Sequence, residues 1–448
     1  MKPPSRVISH MSTLDREILN IAVPSLLALS LDPVLTMVDT GFVGRVAENS
    51  AEGLAAMGIA SSVLNLVYPT TNFFTNAATP LVTKSQDIKL AGRICTLALV
   101  FGILLGVVIE ISAPIVVTMA GGGPAAIAFT RYRALSAPAV VSSNALNGCL
   151  RGFGDARAAL DAALLSAVIN FTLDIFLVPQ LGANGAAIAT ATAEFAGAAL
   201  LLKRLFELTA NIVVVQEEES SLKPFIGSAA LTLSRSLALQ FFLAGTTRFV
   251  ATAGPQALAA NHILKSVYSL LSFATDALAV AAQRLVATAT NPKQVASRIF
   301  AWGTLLGLFF ALSLYLTAEP LVLLLDYKDQ LVISLAVDQI KRILAPLQIL
   351  SSIVFVADGV LQGATAFRVE ASAMLFSVAI ASLILFYAPD AHDSPSVTLD
   401  TAWQAVCVLQ AARAATFSLW WLLSFSPSPP GANEDDQTKI GLNNGESS

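Results

Sequence analysis

Residues 18–43 read ILNIAVPSLLALSLDPVLTMVDTGFV, a run apolar enough to cross a bilayer yet holding two carboxylates, Asp32 and Asp39. A spanning helix needs about 20 such residues. An ionised group in hydrocarbon costs several kcal/mol, so acids at that depth are rare and face a polar cavity or a partner. The same difficulty recurs at Asp174 and Asp358 in comparable runs. A chain that keeps carboxylates there is expected to move ions or to use a proton.

The composition fits that expectation. Of 448 residues, 55% are hydrophobic and 12% charged, with a mean hydropathy of +0.70. Soluble domains carry roughly 25% charged residues, so this chain is read as an integral membrane protein. A formal net charge of −4 argues against nucleic acid as a partner. Cys95, Cys149 and Cys407 stand at unrelated spacings, and His10, His262 and His392 are scattered, so neither a disulfide framework nor a metal site is indicated. Met1 to Arg16 is polar, lacks a cleavable signal pattern and is short for a transit peptide.

Working outward, the hydropathy predicts an all-α protein of twelve membrane-spanning helices: 17–44, 53–83, 91–119, 125–150, 158–180, 184–208, 224–252, 256–288, 295–318, 331–362, 368–388 and 399–425. Gly, Pro or charge marks the breaks, as at Ala120-Gly-Gly-Gly-Pro124 and Ala253-Gly-Pro255. The run Gln216-Glu-Glu-Glu-Ser-Ser221 divides the spans into a first half, 17–208, and a second, 224–425, joined by a charged loop at 209–223. The halves look alike. Leu54-Ala55-Ala56 has a counterpart in Leu258-Ala259-Ala260, and one constant shift aligns Asn147-Gly148 with Asp358-Gly359, Leu150 with Leu361, Gly152 with Gly363 and Arg157 with Arg368. Two six-helix pseudo-symmetric lobes of equal orientation follow, because six is even. The Lys and Arg bias, including Lys84, Arg93, Arg151, Arg284, Lys293 and Arg298 on one side, places both termini in the cytoplasm. Residues 1–16 then form a cytoplasmic segment, and 426–448, rich in Pro, Ser and Asn, a disordered cytoplasmic tail.

Asp32 and Asp39 are seven apart, nearly two turns, and share one face of the first helix. Pro33, directly after Asp32, removes a helix hydrogen bond and frees a carbonyl nearby, and Pro24 adds a second break. Asn170 and Asp174 stack on one face of the fifth helix. The sixth offers Thr190, Thr192 and Glu194, whose threonine hydroxyls alone prove little because they bond back to the preceding turn. In the second half Asp276 reads as a capping or packing residue, and Asp358 as a secondary candidate. Arg235, Arg248 and Lys265 read as side chains snorkelling from near helix ends. No nucleophile–base set, HExxH or CxxC occurs, and Gly121-Gly-Gly123 lacks the Lys-Ser/Thr of a phosphate cradle, so an enzyme or an ATPase is not supported.

The strings Leu14-Asp-Arg-Glu-Ile18, Ala22-Val-Pro24, Asp32-Pro33 and Val38-Asp-Thr-Gly-Phe-Val-Gly44 resemble the first helix of MATE (multidrug and toxic compound extrusion) transporters, nearest their DinF-like branch. Leu150-Arg-Gly-Phe-Gly-Asp155 and Ala357-Asp-Gly-Val-Leu-Gln-Gly363 are similar to that branch's fourth and tenth helix ends, and the likeness runs over nearly all of 14–425. The resemblance implies two lobes around a V-shaped cavity and export of organic compounds in exchange for H⁺ or Na⁺. It assigns the cation or proton site to Asp39, Asn170, Asp174 and Thr192, and the helix bend to Pro24. NorM-like relatives carry an acid on the seventh helix, whereas 224–252 has none, which disfavours a Na⁺ site in the second lobe.

The sequence therefore predicts a secondary antiporter in which Asp39 and Asp174 share protons. Its partners are the bilayer, a small organic substrate and a coupling ion, H⁺ or Na⁺, with no other cofactor, and it is expected to act as a monomer. Alternatives are an organic-anion (citrate or phenolic acid) exporter and a flippase for lipid-linked precursors; a receptor would leave the paired acids unexplained. Few internal basic residues lean the reading towards cationic cargo. Plasma membrane, vacuole and plastid envelope are all compatible with the sequence.

Overall fold

The computed structural model describes residues 13–46, 50–210, 221–324, 329–388 and 394–424. The first twelve residues, the Gln216–Ser221 run up to residue 220 and the tail beyond residue 424 lie outside them, as does the side chain of Asp32.

Among the described residues there are helices and no strands. They are α1 (Thr13–Val46), α2 (Ser50–Val67), α3 (Phe73–Ser85), α4 (Ile88–Met119), α5 (Pro124–Ala134), α6 (Ala137–Phe153), α7 (Ala158–Leu181), α8 (Ala183–Thr209), α9 (Lys223–Ala251), α10 (Pro255–Thr288), α11 (Pro292–Leu324), α12 (Gln330–Gln339), α13 (Ala345–Gly363), α14 (Phe367–Phe386) and α15 (Pro395–Ser424). These make twelve spans, because three pairs are single spans with an interruption. A 3₁₀ turn at Tyr68–Asn72 separates α2 from α3, and a π turn at Ile340–Leu344 separates α12 from α13. Leu135 and Ser136 part α5 from α6. The fourth and tenth spans are thus both broken shortly before a proline, Pro138 and Pro346, whose missing N–H suits a helix start. Eleven of the spans are long and apolar enough to cross a membrane, and the exception is the divided α5–α6.

Local chemistry sets the ends. Pro124, Pro255, Pro292 and Pro395 open their helices. Asp87 caps α4, its carboxylate accepting from the Lys89 and Leu90 amides. Gly154 closes α6 in the left-handed region at φ +110°, where a side chain would be strained. α11 runs to Leu324 rather than stopping near 318, since the helix continues through Pro320. α15 starts four residues earlier than 399, at the proline that best begins it.

The end of the bundle where α1 starts is called proximal, and the opposite end distal. Counting spans puts Thr13 and Ser424 both at the proximal end. The packing repeats between halves: α1 lies on α7 as α9 lies on α14, α3 and α4 flank α6 as α10 and α11 flank α13, and α7–α8 mirrors α14–α15. The glycines that align the halves are the points of closest approach. A Cβ on Gly148 would stand 2.9 Å from Thr75 O, and one on Gly359 2.4 Å from Ala279 O. On Gly152 it would meet Val82 Cβ at 2.8 Å, and on Gly363 Ala282 O at 2.9 Å. The repeated letters are therefore the repeated contacts.

The lobes join at the proximal end. Ile18, Ile21 and Ala22 of α1 pack into an apolar cluster with Ala277, Ala281 and Val360 of the second lobe. Asp15 accepts two hydrogen bonds from Arg298 at 2.7 Å and one from Trp302 Nε1 at 2.9 Å. Arg284 donates to Gly154 O and Lys84 to Thr365 Oγ1. The distal half of α1 is looser, with Val34 52% and Met37 75% exposed.

Candidate functional site

α1 delivers Asp39 to the interior of the first lobe in its distal part. The helix runs unbroken from Thr13 to Val46 through Pro24 and Pro33, so Asp39 points where the 3.6-residue period sends it, towards α7 and α8. There its Oδ1 accepts from Asn170 Nδ2 at 2.6 Å and its Oδ2 from Thr190 Oγ1 at 3.2 Å. The same Asn170 amide reaches Asp174 Oδ2 at 3.4 Å, one turn further along α7. Asp39 is 7% exposed, Asn170 1% and Asp174 0%.

The amide of Asn170 thus bridges the two buried carboxyls. Asp174 Oδ1 and Asn170 Oδ1 are buried without a protein partner. Two carboxylates out of water with one amide and one hydroxyl between them are poorly compensated when both are ionised, and a single proton relieves the pair. The arrangement can take up a proton and give it back.

Thr190 fills the place that the family resemblance gives to Thr192. Residues two apart on a helix face opposite ways. Both threonine hydroxyls reach back to a carbonyl one turn earlier, Ala186 O and Ile188 O, but Thr192 is exposed, while Thr190 also lies within reach of Asp39. Thr190 and Glu194 share the inward face, and Glu194 pairs with Arg133 of α5 at 3.1 Å. Arg133 sits 16% exposed against the Tyr68 ring; neither residue was read from the sequence as part of this neighbourhood, although the Thr190/Glu194 spacing of four was a signal for it. Thr190→Val is expected to lower proton-coupled exchange severalfold, because Asp39 loses a donor to its charged form, while Thr192→Val leaves it at the wild-type level; side-by-side transport assays on the two variants check this.

The second lobe holds a different cluster. Asp358 accepts from both Arg235 and Arg413, and Arg235 Nε lies 3.2 Å from Glu370. Gln362 donates to Glu370 at 2.6 Å and Gln283 to Gln362 at 2.6 Å, while Arg413 donates to Gln410 and Gln410 to the Tyr268 hydroxyl. Asp276 of α10 lies within electrostatic reach of Asp358 and both arginines. Asp358 is therefore held by two guanidinium groups where a coupling cation would have to bind. Arg235 does not snorkel: it is twelve residues into α9, and its side chain is 14% exposed. Lys265 donates to Thr247 from a half-buried position, whereas Arg248 is exposed near its helix end. The view that internal basic residues are few is corrected by Arg133, Arg235 and Arg413, and by Arg151, which is 8% exposed.

Comparison with known proteins agrees with this architecture. A family model for MatE matches residues 24–176 and 232–388, one stretch per lobe. The chain is 31% identical over 430 residues to Protein DETOXIFICATION 44, chloroplastic, of Arabidopsis thaliana, covering 89% of this chain and 80% of that one. It is 23% identical to DNA damage-inducible protein F of Escherichia coli K12, covering 92% and 93%. A MOP superfamily transporter from Pyrococcus furiosus has the same fold, with a TM-score of 0.80 at 17% identity over 93% of this chain and 96% of that one. With a twelve-span, two-lobe bundle and a family match covering most of both lobes, this chain belongs to the MATE family of membrane transporters, and it is not an enzyme.

Proposed function

We propose that the chain is a proton-coupled antiporter that exports a small organic compound, with Asp39 and Asp174 as the proton-carrying pair. The observation that carries this is the single Asn170 amide clasped between two buried carboxyls. Its nitrogen, not its oxygen, faces them, which suits a shared proton better than Na⁺, an ion that would want further oxygen ligands. Loading a proton onto the pair weakens the hold of Asn170 and Thr190 on Asp39. The distal half of α1, released from α7 and α8, then bends around Pro24 and Pro33, narrows the first lobe and expels cargo. Rocking of the lobes across the proximal contacts returns the site to the other side, where the proton leaves.

The Lys and Arg bias supports a cytoplasmic proximal end, so that the contacts joining the lobes lie on the inner side. The name of one relative, a chloroplastic protein, supports an organelle membrane as the site of action. A second reading, export of organic anions, draws support from Lys265, a half-buried basic group of the second lobe. Proteoliposomes loaded with ethidium or citrate, each given a H⁺ or a Na⁺ gradient separately, test both points. The expected result is transport driven by the pH gradient and indifferent to Na⁺, and the cargo that moves decides the charge. Movement driven by Na⁺ with pH clamped would overturn the proton coupling.

A further inference from the structure

Among the ion pairs on the perimeter of the bundle, one lines a groove. Arg131 Nε of α5 stands 3.1 Å from Glu110 Oε1 of α4, with the side chains 47% and 45% exposed. They line the same groove, of about 540 Å³, with Tyr132 beside them and Ile127, Ala128 and Leu135 along its apolar wall. The groove lies between α4 and α5, where the fourth span is interrupted at Leu135 and Ser136.

Depth gives the groove its meaning. α4 has 32 residues, about 48 Å at 1.5 Å per residue, against a hydrocarbon layer of about 30 Å. Shared between the two ends, the excess leaves about 9 Å of helix outside the hydrocarbon on each side. Glu110 is nine residues before Met119, about 13 Å below the distal end, and so only a few ångströms inside the boundary. Arg131 is seven residues into α5, at about 10 Å and the same level. Tyr132, 38% exposed, sits where an interfacial tyrosine belongs. Below it α4 shows an exposed apolar stripe through Leu104, Val107 and Val108, a surface for acyl chains.

We propose that this groove binds the headgroup of a zwitterionic phospholipid in the distal leaflet, its phosphate on Arg131 and its ammonium on Glu110. A pair serving only to neutralise itself needs no groove. The two side chains meet through a single close contact, Nε to Oε1, and each stays nearly half exposed, so both charges remain open to a ligand group of opposite sign. An anionic lipid would set its phosphate beside Glu110 and bring no positive charge for the carboxylate to pair with.

Native mass spectrometry of the full chain, solubilised in detergent and titrated with POPE or POPG, tests this. Wild type should retain one POPE about fivefold more tightly than POPG, the factor one interfacial charge contact supplies. Glu110→Gln should erase that preference, Arg131→Gln should loosen both lipids, and Arg131→Lys should keep the preference. Ala128→Trp, which fills the groove and spares the charge pair, should also release POPE, and it serves where a charge variant fails to fold. Equal retention of POPE and POPG by wild type, or a tightly held POPE in Ala128→Trp, would overturn the proposal.

Discussion

Asp39→Asn is expected to stop proton-driven exchange while leaving the protein folded. Asparagine keeps the shape of the side chain and can still meet Thr190 and Asn170, but it cannot bind and release a proton. Removing an essential proton-transfer group typically costs 100-fold or more in rate, and a loss of about that size is expected in proteoliposomes under an imposed pH gradient. Asp174→Asn should behave alike, because the Asn170 amide ties the two carboxyls into one unit. The double variant should then be no worse than either single one, since residues acting together are non-additive. Folding is not expected to suffer: substituting either aspartate leaves no buried charge without a partner. Counterflow of labelled against unlabelled cargo, which needs no gradient, should survive and would show that binding and rocking persist. Wild-type proton-coupled rates from Asp39→Asn would end this account of the site.

The order of the helices was legible because the bilayer imposes it. A spanning segment must satisfy its backbone internally, so length and hydropathy locate it, and among the described residues eleven of the twelve expected spans meet both conditions while the divided α5–α6 does not. The repeat was legible for a different reason. Gly148, Gly152, Gly359 and Gly363 admit no Cβ without collision against α3 or α10, so the letters that align are those least free to vary. Asp39, Asn170 and Asp174 were readable from helical spacing together with the cost of burying acid.

Two features escaped for geometrical reasons. A helical wheel says that Thr190 and Thr192 face differently but not which of them faces Asp39, because that depends on how α8 is rotated against α1. Family spacing suggested Thr192, and the packing puts Thr190 on the carboxylate. The arginines were misjudged because a long side chain near mid-span reads equally as a snorkelling cation or as a buried ion. Only the convergence of α9, α13, α14 and α15 brings Arg235, Asp358, Glu370 and Arg413 together.

That convergence makes Asp358→Asn a second large effect, of the opposite kind. Asp358 is the shared acceptor of two guanidinium groups, one 14% and one 5% exposed. Taking one partner from a buried ion pair costs about 3–5 kcal/mol, because the remaining charge keeps its desolvation penalty without its compensation. Here Glu370 still faces Arg235, whereas Arg413 loses its one ion-pair contact and keeps the Gln410 oxygen and the Phe355 ring, so most of that cost falls on Arg413. The expected phenotype is a sharply lowered midpoint in thermal unfolding in detergent, with transport lost because the protein is lost. Asp358→Asn combined with Arg413→Gln should recover much of the midpoint, since the pair then leaves as a neutral set. The same chemical change, aspartate to asparagine, would thus abolish coupling without unfolding in one lobe and unfold the protein in the other. The difference lies in what each carboxylate faces, an amide and a second acid at Asp39, two fixed cations at Asp358. If Asp358→Asn instead unfolded at the wild-type midpoint, the second-lobe cluster would not be an ion lock, and Asp358 would return as a candidate for carrying a coupling ion of its own.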